Sequence, residues 1–255
     1  MKRKLLVIGI GAGNPDYVTM QAVEAMNRAD VFFIPDKGEE KEELARVRRE
    51  LCERYIRDRN YRDVGFDVPK RRAPGEDGYG ASVADWHERV EAVYRRLLTD
   101  EMSEGECGAF LVWGDPALYD STMRILDRLN AHDDIEIDYE VIPGISAVQA
   151  LTARHRVVLN TIGRSVLVSN GRSTFEGDGD ADTVVVMLNA DKALRTADDD
   201  AQVYWGAYLG MPDEVLVSGR LGDVREEIER IREEARRAKG WIMDSVLIRK
   251  PPTGD

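Results

Sequence analysis

An acidic side chain at the end of an apolar run marks the first candidate site. The apolar residues 110–113 predict a buried strand, and Gly114, Asp115 and Pro116 follow it directly. Gly114 lets another molecule approach the backbone closely, while Pro116 removes a donor and fixes the turn. Asp115 therefore lies at the carboxyl end of a strand, where open α/β sheets place their ligand sites. Its carboxylate suits a cation, a sulfonium or a ribose hydroxyl, and it equally suits a simple strand-to-helix turn.

Three further side chains are candidates for acid–base chemistry. They are Asp36 after the second apolar run, His87 within a helical pattern, and Asp120 just before another helical pattern. A general base must come within about 3 Å of the proton that it removes. His87 also suits a helix surface, and Asp120 also suits a helix cap. The sequence shows no Ser–His–Asp or Cys–His pattern, and the other histidines lack metal-ligand spacing, so we assign no metal.

Glycines at positions 9, 11 and 13 form a second candidate site, since they follow an apolar run. Such a cluster is typical of dinucleotide-binding sites when a helix starts on the glycines and an acid follows about 20 residues later. Here Asn14 and Pro15 follow the third glycine, and Asp36 comes 27 residues after Gly9. This context argues against a Rossmann oxidoreductase.

Alternating strand and helix patterns must position these residues. In the first half they predict an α/β fold with a mainly parallel sheet. The predicted strands are residues 5–10, 31–34, 110–113 and 136–142. The predicted helices are residues 20–28, 40–60, 82–97, 123–129 and a segment that ends at 153. Thr19 is the predicted cap of the first helix, and Ser82 with Asp85 is the predicted capping box of the third. Residues 69–81 read as a loop. The second half predicts strands at 166–169, 183–188, 202–208, 214–218 and 241–248 and a helix at 223–238, so we place one domain at 1–160 and another at 161–255.

Composition limits the partners. The 255 residues carry a net charge of −12, which argues against nucleic acid and anionic membranes. No segment approaches the roughly 18–20 apolar residues that span a bilayer. Two distant cysteines, Cys52 and Cys107, give no disulfide framework, so a cytoplasmic location is expected. Residues 41–72 hold eleven Lys or Arg against seven acids, so they read as solvated surface or as a rim for a polyanionic small molecule. Residues 174–200 are conversely acidic.

Four features, taken together, resemble the tetrapyrrole methyltransferases along nearly the whole chain. They are residues 9–16 with the sequence Gly-Ile-Gly-Ala-Gly-Asn-Pro-Asp, the Gly114-Asp115-Pro116 turn, residues 142–147 with Ile-Pro-Gly-Ile-Ser-Ala, and the run Val-Val-Val-Met at 184–187 with Val-Ser-Gly-Arg-Leu at 217–221. The resemblance implies two α/β domains with a cofactor cleft between them, a fold unrelated to Rossmann methyltransferases. It also implies S-adenosylmethionine as methyl donor, S-adenosylhomocysteine as product, and a homodimer.

Within that family, several segments resemble the branch that methylates precorrin-5 and releases acetate to give precorrin-6A in cobalamin synthesis. These segments are residues 32–38, 48–54, 85–87 and 112–122, together with 148–151 and 154–156. Trp113 stands where the wider family commonly has glycine, which favours this branch. The alternatives are a methyltransferase for another precorrin or uroporphyrinogen, a protein-modifying methyltransferase of the same fold, and a non-catalytic tetrapyrrole carrier.

The resemblance also implies roles for individual residues. The implied cofactor contacts are Pro15, Trp113, Gly114, Asp115, Leu118, Ser146, Ala147, Met187 against the adenine, and Leu209. The implied substrate is a polycarboxylate macrocycle, with arginines of residues 46–72 and Arg124 as carboxylate partners. Holding a methyl group in line with a carbon nucleophile supplies about 7–11 kcal/mol in favourable cases, so methyl transfer needs no covalent catalyst. Acetate release needs a base, for which the candidates are Asp36, His87 and Asp120.

Overall fold

A computed structural model describes residues 1–36, 38, 42–57, 60–72, 78–171, 181–188 and 190–250. The described chain separates into two compact units. The first comprises Met1–Gly11 and Pro15–Ile145, and the second comprises Ala12–Asn14 and the residues from Ser146 onward. The domain boundary that we place at residue 160 stays a prediction, and residue 160 itself lies within the second unit.

The first unit is built on a five-stranded parallel sheet. Its strands are β1 (Lys2–Gly9), β2 (Val31–Asp36), β3 (Arg62–Asp67), β4 (Cys107–Val112) and β5 (Glu136–Ile142), and their order is β3-β2-β4-β1-β5. Its helices are α1 (Met20–Met26), α2 (Glu42–Tyr55), α3 (Gly78–Asp100) and α4 (Thr122–Asn130), with a 3₁₀ turn at Pro15–Tyr17. All four strand pairings are parallel, so the predicted α/β class is confirmed.

Both faces of this sheet are covered, because alternate strand residues enter two separate cores. Leu5 and Val7 pack with α3 and α4 residues on one face. Leu6 and Ile8 pack with α1 and α2 residues on the other. A strand buried on both faces has no polar alternation, which is why the apolar runs of β1, β2 and β4 are continuous in sequence.

Two predictions for this unit are wrong. The loop prediction for residues 69–81 holds at 69–72, lies outside the described residues at 73–77, and is wrong at 78–81, where α3 begins. The predicted capping box fails for the same reason, because Ser82 lies inside the helix and its hydroxyl donates to the Arg72 carbonyl oxygen at 2.6 Å. The sequence reading also assigned no strand to residues 62–67, which form the edge strand β3. By contrast, Thr19 caps α1 as predicted by accepting from the Ala22 N–H.

The second unit contains a mixed sheet. Its strands are β6 (Val166–Ser169), β7 (Thr183–Met187), β8 (Gln202–Ala207), β9 (Val215–Arg220) and β10 (Asp244–Arg249), in the order β6-β7-β10-β8-β9. The β6–β7 pairing is parallel and the other pairings are antiparallel. Its helices are α5 (Ala147–His155), α6 (Asp191–Thr196) and α7 (Leu221–Lys239). Every strand predicted for this half is present, although β10 begins three residues after the predicted start.

A buried ion pair fixes α7 to this sheet. The Arg232 Nε donates to Asp244 Oδ2 at 2.8 Å, and both side chains are almost fully buried. The same carboxylate oxygen accepts from Trp205 Nε1 at 3.0 Å, and the Arg232 Nη1 donates to Asp191. A buried charge is tolerated only when it is paired and hydrogen-bonded, so this cluster specifies how α7 packs.

No helix among the described residues is long and apolar enough to cross a membrane. The described part of the chain also contains no group of three or more His, Cys, Asp or Glu side chains placed to hold a metal ion.

Candidate functional site

Three loops meet at the carboxyl edge of the parallel sheet in the first unit. The loop after β1 and the loop after β4 exchange backbone hydrogen bonds, since Gly114 N donates to Gly11 O at 2.8 Å and Gly11 N donates to Gly114 O at 3.3 Å. The loop after β5 joins them through Gly144. Three segments that are far apart in sequence therefore form one rigid rim.

Asp115 ties this rim together. Its Oδ2 accepts from Gly144 N at 2.9 Å, and its Oδ1 accepts from Ala117 N at 2.8 Å. Both oxygens of a carboxylate can accept more than one hydrogen bond, so each retains acceptor capacity for a ligand hydroxyl. Asp115 thus holds the loops in place and still presents a carboxylate at the edge of the sheet.

The rim is closed so tightly that only glycine fits at two of its positions. A Cβ on Gly9 would lie 2.6 Å from Gly144 N and 2.9 Å from Gly114 O. A Cβ on Gly144 would overlap the Gly114 carbonyl oxygen. These glycines are therefore explained by backbone packing, and they are not a dinucleotide-binding fingerprint.

Behind the rim lies a buried arginine, which the sequence pattern did not distinguish from the other arginines of the basic segment. Arg48 of α2 is 5% exposed, and its Nε donates to Leu111 O at 2.9 Å while Nη1 donates to Leu44 O at 2.7 Å. Its guanidinium carbon lies 5.9 Å from the centre of the Trp113 ring. Burial lowers the pKa of Arg48 to about 10, and the negative charge of Asp120 partly opposes that shift, so the side chain stays cationic at neutral pH.

Arg48 lines a cavity of about 110 Å³ between the ends of β2, β3 and β4 and the helices α3 and α4. Its polar wall is formed by Arg48, Tyr94, Asp120, Ser121 and Thr122, and the rest is mostly aromatic and aliphatic. Tyr94 is buried against Thr122, with 3.5 Å between the two hydroxyl oxygens, and burial raises the pKa of Tyr94. This volume suits a few water molecules or a small group, and it is too small for a macrocycle.

His87 contacts the start of α4 through Ser121. Its Nε2 lies 3.3 Å from the hydroxyl oxygen of Ser121, which lines the cavity. Burial, with smaller contributions from Arg128 and Arg124, lowers the pKa of His87, so the ring is neutral at pH 7. The sequence did not reveal this pair, because the two residues are 34 positions apart on different elements.

Ser121 occupies the N-cap position of α4, yet its hydroxyl makes no capping hydrogen bond. Asp120 caps the helix in part, because its Oδ1 accepts a hydrogen bond from Thr122 N at 2.7 Å. Of the three predicted base candidates, His87 therefore lies against Ser121, which directly follows the second candidate, Asp120. Asp36 lies at the exposed end of β2, where its Oδ1 accepts from Gly38 N at 2.8 Å.

The other predicted cofactor residues of the first unit lie in the loops after β1 and β4. Pro15 starts the 3₁₀ turn, and its carbonyl accepts from the Tyr55 hydroxyl at 3.0 Å. Leu118 is half-buried, and its N–H donates to Asp115 O at 3.1 Å. The next residue, Tyr119, has a left-handed backbone with φ of 55°.

In the second unit, the predicted cofactor residues Met187 and Leu209 are also buried next to residues with left-handed backbones. Leu188 (φ 65°) follows Met187, and Tyr208 (φ 52°) precedes Leu209. Non-glycine residues rarely adopt this conformation, and it clusters at ligand sites. Three of the four such residues in the described chain thus adjoin predicted cofactor contacts; the fourth, Arg156, ends α5.

Ser146 and Ala147 start α5. The Ser146 hydroxyl accepts from Val148 N at 3.1 Å, and the Ser146 N–H donates to Gln149 Oε1 at 3.0 Å, which completes a capping box. The Ser146 hydroxyl is therefore engaged in the cap, and the residue is 1% exposed. Ala147 is half-buried on the first turn.

In the described part of the basic segment, four arginines pair with acids of the first unit at 3.7 Å or less. These pairs are Arg46 with Glu43 and Glu50, Arg49 with Asp63, Arg54 with Asp16, and Arg62 with Glu106. The pairs are largely exposed, so their side chains remain able to exchange partners at little cost. Arg124, the other predicted carboxylate partner, is exposed on α4. Lys41 and Arg59 lie outside the described residues, as do residues 174–180 and 189 of the acidic segment.

The parallel sheet, its tied strand-end loops and the mixed second sheet correspond to a known class. The chain belongs to the tetrapyrrole (corrin/porphyrin) methylases, whose family model matches residues 4–225. It is 49% identical over 250 residues to a precorrin-6A synthase (deacetylating) of Sinorhizobium sp., covering 97% of this chain and 95% of that protein.

Solved structures agree with this assignment. A putative cobalamin synthesis related protein (CobF) from Corynebacterium diphtheriae superposes with a TM-score of 0.78 and 29% identity, covering 98% of this chain and 99% of that one. A uroporphyrin-III C-methyl transferase from Thermus thermophilus, solved with S-adenosyl homocysteine, shares the fold with a TM-score of 0.57 at 17% identity, covering 96% of each chain. The predicted family and fold are confirmed.

Proposed function

We propose that this protein transfers a methyl group from S-adenosylmethionine to a carbon of precorrin-5 and releases acetate, giving precorrin-6A in cobalamin biosynthesis. The observation that carries the proposal is the 49% identity, over nearly the full length of both chains, to a precorrin-6A synthase (deacetylating). The buried Arg48 beside Trp113, together with the Ser121–His87 contact, supports a site that handles more than methyl transfer alone.

The described residues fit S-adenosylmethionine by their chemistry. Asp115 keeps free acceptor capacity for ribose hydroxyls, and Leu118, Met187 and Leu209 are apolar side chains suited to an adenine ring. Pro15, Trp113, Gly114, Ser146 and Ala147 complete the proposed set. When bound, S-adenosylmethionine supplies an electrophilic methyl group. The protein's own task is to hold that donor and the acceptor carbon in line and to exclude water, which is a task for rigid loops such as the rim around Asp115.

The polycarboxylate substrate calls for cations at the carboxyl edge of the first sheet. Arg124 and the exposed arginines of residues 46–72 are the proposed carboxylate partners, because guanidinium groups bind carboxylates through two parallel hydrogen bonds. Asp36, His87 and Asp120 are the proposed acid–base residues for acetate release. His87 is favoured among them, because its Nε2 lies 3.3 Å from the hydroxyl oxygen of Ser121, a residue of the cavity wall.

We further propose a homodimer in the cytoplasm. The family resemblance supports the dimer, and two free cysteines, one of them buried, suit a reducing compartment. Sedimentation equilibrium tests the dimer, and a single species at the mass of one chain would contradict it.

The direct test of the proposed function is incubation with precorrin-5 and S-adenosylmethionine carrying a labelled methyl group. Product mass, label incorporation and released acetate are followed together. One label and one acetate per turnover are expected. Cofactor binding without label transfer would point to another precorrin, uroporphyrinogen or a protein substrate. Failure to bind S-adenosylmethionine, measured by calorimetry, would contradict the cofactor assignment itself.

A further inference from the structure

The start of α4 departs from the other capped helices of the protein. The hydroxyls of Thr19 and Ser146 accept backbone hydrogen bonds at the N-caps of α1 and α5. Ser121 holds the same position on α4, but its hydroxyl caps nothing and lies against His87 Nε2 instead. The Ser121 hydroxyl therefore takes no part in capping, and Asp120 partly fills that role by accepting from the Thr122 N–H at 2.7 Å.

The surroundings of this hydroxyl are those of an activated nucleophile. An imidazole nitrogen within hydrogen-bond reach can remove the serine proton, and such contacts are often loose before substrate binds. His87 is neutral at pH 7 because burial and the nearby charges of Arg124 and Arg128 disfavour its protonated form. The positive end of the nine-residue helix α4 favours developing negative charge at Ser121.

The cavity beside Ser121 supplies both space and a cation. Its volume of about 110 Å³ admits an acetyl group while a macrocycle stays at the edge of the sheet. Arg48 is held by hydrogen bonds from Nε and Nη1, which leaves Nη2 for an oxyanion in the cavity. A buried guanidinium that is held in place is an effective stabiliser of a tetrahedral intermediate.

We propose that Ser121 is the acetyl acceptor in the deacetylating half of the reaction, with His87 as its base and Arg48 as the oxyanion partner. The proposal rests on the proposed function. The Ser121 Oγ bonds to the acetyl carbonyl carbon as its proton passes to His87. The bond between that carbon and the macrocycle breaks, and its electron pair, with the proton from His87, goes to the macrocycle. Water then gives a proton to His87 and attacks the ester carbon, so that acetic acid leaves and the proton returns to Ser121 Oγ.

The test uses the full-length protein and two substrates. With precorrin-5 and labelled S-adenosylmethionine, Ser121→Ala is expected to lower acetate release roughly 10²-fold or more while calorimetry still shows wild-type affinity for S-adenosylmethionine, and His87→Gln to lower acetate release by about 10²–10⁴-fold. Ser121→Cys should retain acyl transfer, because a thiol is also a nucleophile for this dyad. Ser218→Ala, an exposed serine of β9, is the matched control. Acetate release by Ser121→Ala at the wild-type rate would overturn the proposal.

The second substrate separates this proposal from the proposed function. Rapid quench of the wild-type protein with p-nitrophenyl acetate, followed by peptide mass spectrometry, should show one acetyl group on the peptide containing Ser121 and none in Ser121→Ala. Wild-type protein that carries no acetyl group there would also overturn the proposal. If precorrin-5 accepts no methyl group, the proposed function fails, and the acetylation of Ser121 still decides the nucleophile.

Discussion

Removing the Asp115 carboxylate is predicted to loosen the loops that define the carboxyl edge of the first sheet. The carboxylate accepts two backbone hydrogen bonds, at 2.9 Å from Gly144 and at 2.8 Å from Ala117. A hydrogen bond to a charged group contributes about 1.5–3 kcal/mol. Asp115 is half-exposed, so water replaces part of what is lost, and we expect Asp115→Ala to lower the free energy of unfolding by about 2–4 kcal/mol.

The Asp115→Asn variant removes one of these two hydrogen bonds and keeps the other. The amide oxygen can still accept from Ala117, but the amide nitrogen then faces the Gly144 N–H, and two donors cannot bond. One hydrogen bond is therefore lost, at a cost of about 1.5–3 kcal/mol. Guanidinium denaturation followed by circular dichroism measures both variants, with exposed Asp133→Asn as control. A free energy of unfolding for Asp115→Ala within about 0.5 kcal/mol of the wild-type value would refute the view that this carboxylate holds the loops together.

Three further predictions concern stability. Gly144→Ala should lower stability by about 3 kcal/mol or more, because its Cβ would overlap the carbonyl oxygen of Gly114, and urea denaturation measures this. Asp244→Ala should lower it by about 3–5 kcal/mol, measured calorimetrically, because the buried Arg232 loses its counter-ion. The Arg62 hydrogen bond, with one from the Ser103 N–H, lowers the pKa of Glu106 to about 2, so its stabilisation is present above pH 4.5 and is lost as pH falls towards 2. Acid titration of Glu106→Gln should therefore show a weaker loss of stability over that range.

Each of these has a matched control. Gly80→Ala introduces a Cβ with no atom within 4 Å in the exposed part of α3, and it should stabilise the protein by about 0.5–1 kcal/mol. If it destabilised the protein as much as Gly144→Ala, close packing would not explain the glycine at 144. Asp223→Ala removes an exposed carboxylate, and a loss equal to that of Asp244→Ala would contradict the role of burial. Glu104→Gln is the exposed control for the acid titration.

The sequence predicted those elements whose residues face a core on both sides. Strands β1, β2 and β4 are continuous apolar runs because the parallel sheet is covered on both faces. The edge strand β3 could not be recognised in the same way. Of its six residues only Phe66 is fully buried, so the segment Arg-Asp-Val-Gly-Phe-Asp carries too few apolar side chains to suggest a strand.

The start of α3 was misjudged because two local rules agreed on a wrong answer. Gly and Pro around residues 73–80 indicate a loop, and Ser82 with Asp85 fits a capping box. In the structure, the Ser82 hydroxyl instead binds the Arg72 carbonyl, so a tertiary contact takes the place of the cap. Local hydrogen-bonding patterns cannot anticipate a partner ten residues away.

Some parts of the candidate site could be predicted from the sequence, and others could not. The motifs around Gly9, Gly114 and Gly144 could be predicted to belong together, because parallel strands end at one edge of a sheet. The contact between His87 and Ser121 could not, because it joins two elements with no fixed spacing. The position of Arg48 could have been predicted. It lies four residues after Leu44 and three before Leu51, on the apolar face of α2, and a charged side chain on a buried face needs a hydrogen-bond partner.

The order of strands in the first sheet has a consequence during synthesis. β1 leaves the ribosome before its neighbours β4 and β5, which begin roughly a hundred residues or more further along the chain. At roughly 5–20 residues per second, β1 waits about 7–27 s for Ile142 to be made. Its apolar half is preceded by Lys2, Arg3 and Lys4, whose positive charges oppose self-association of the nascent chain during that interval.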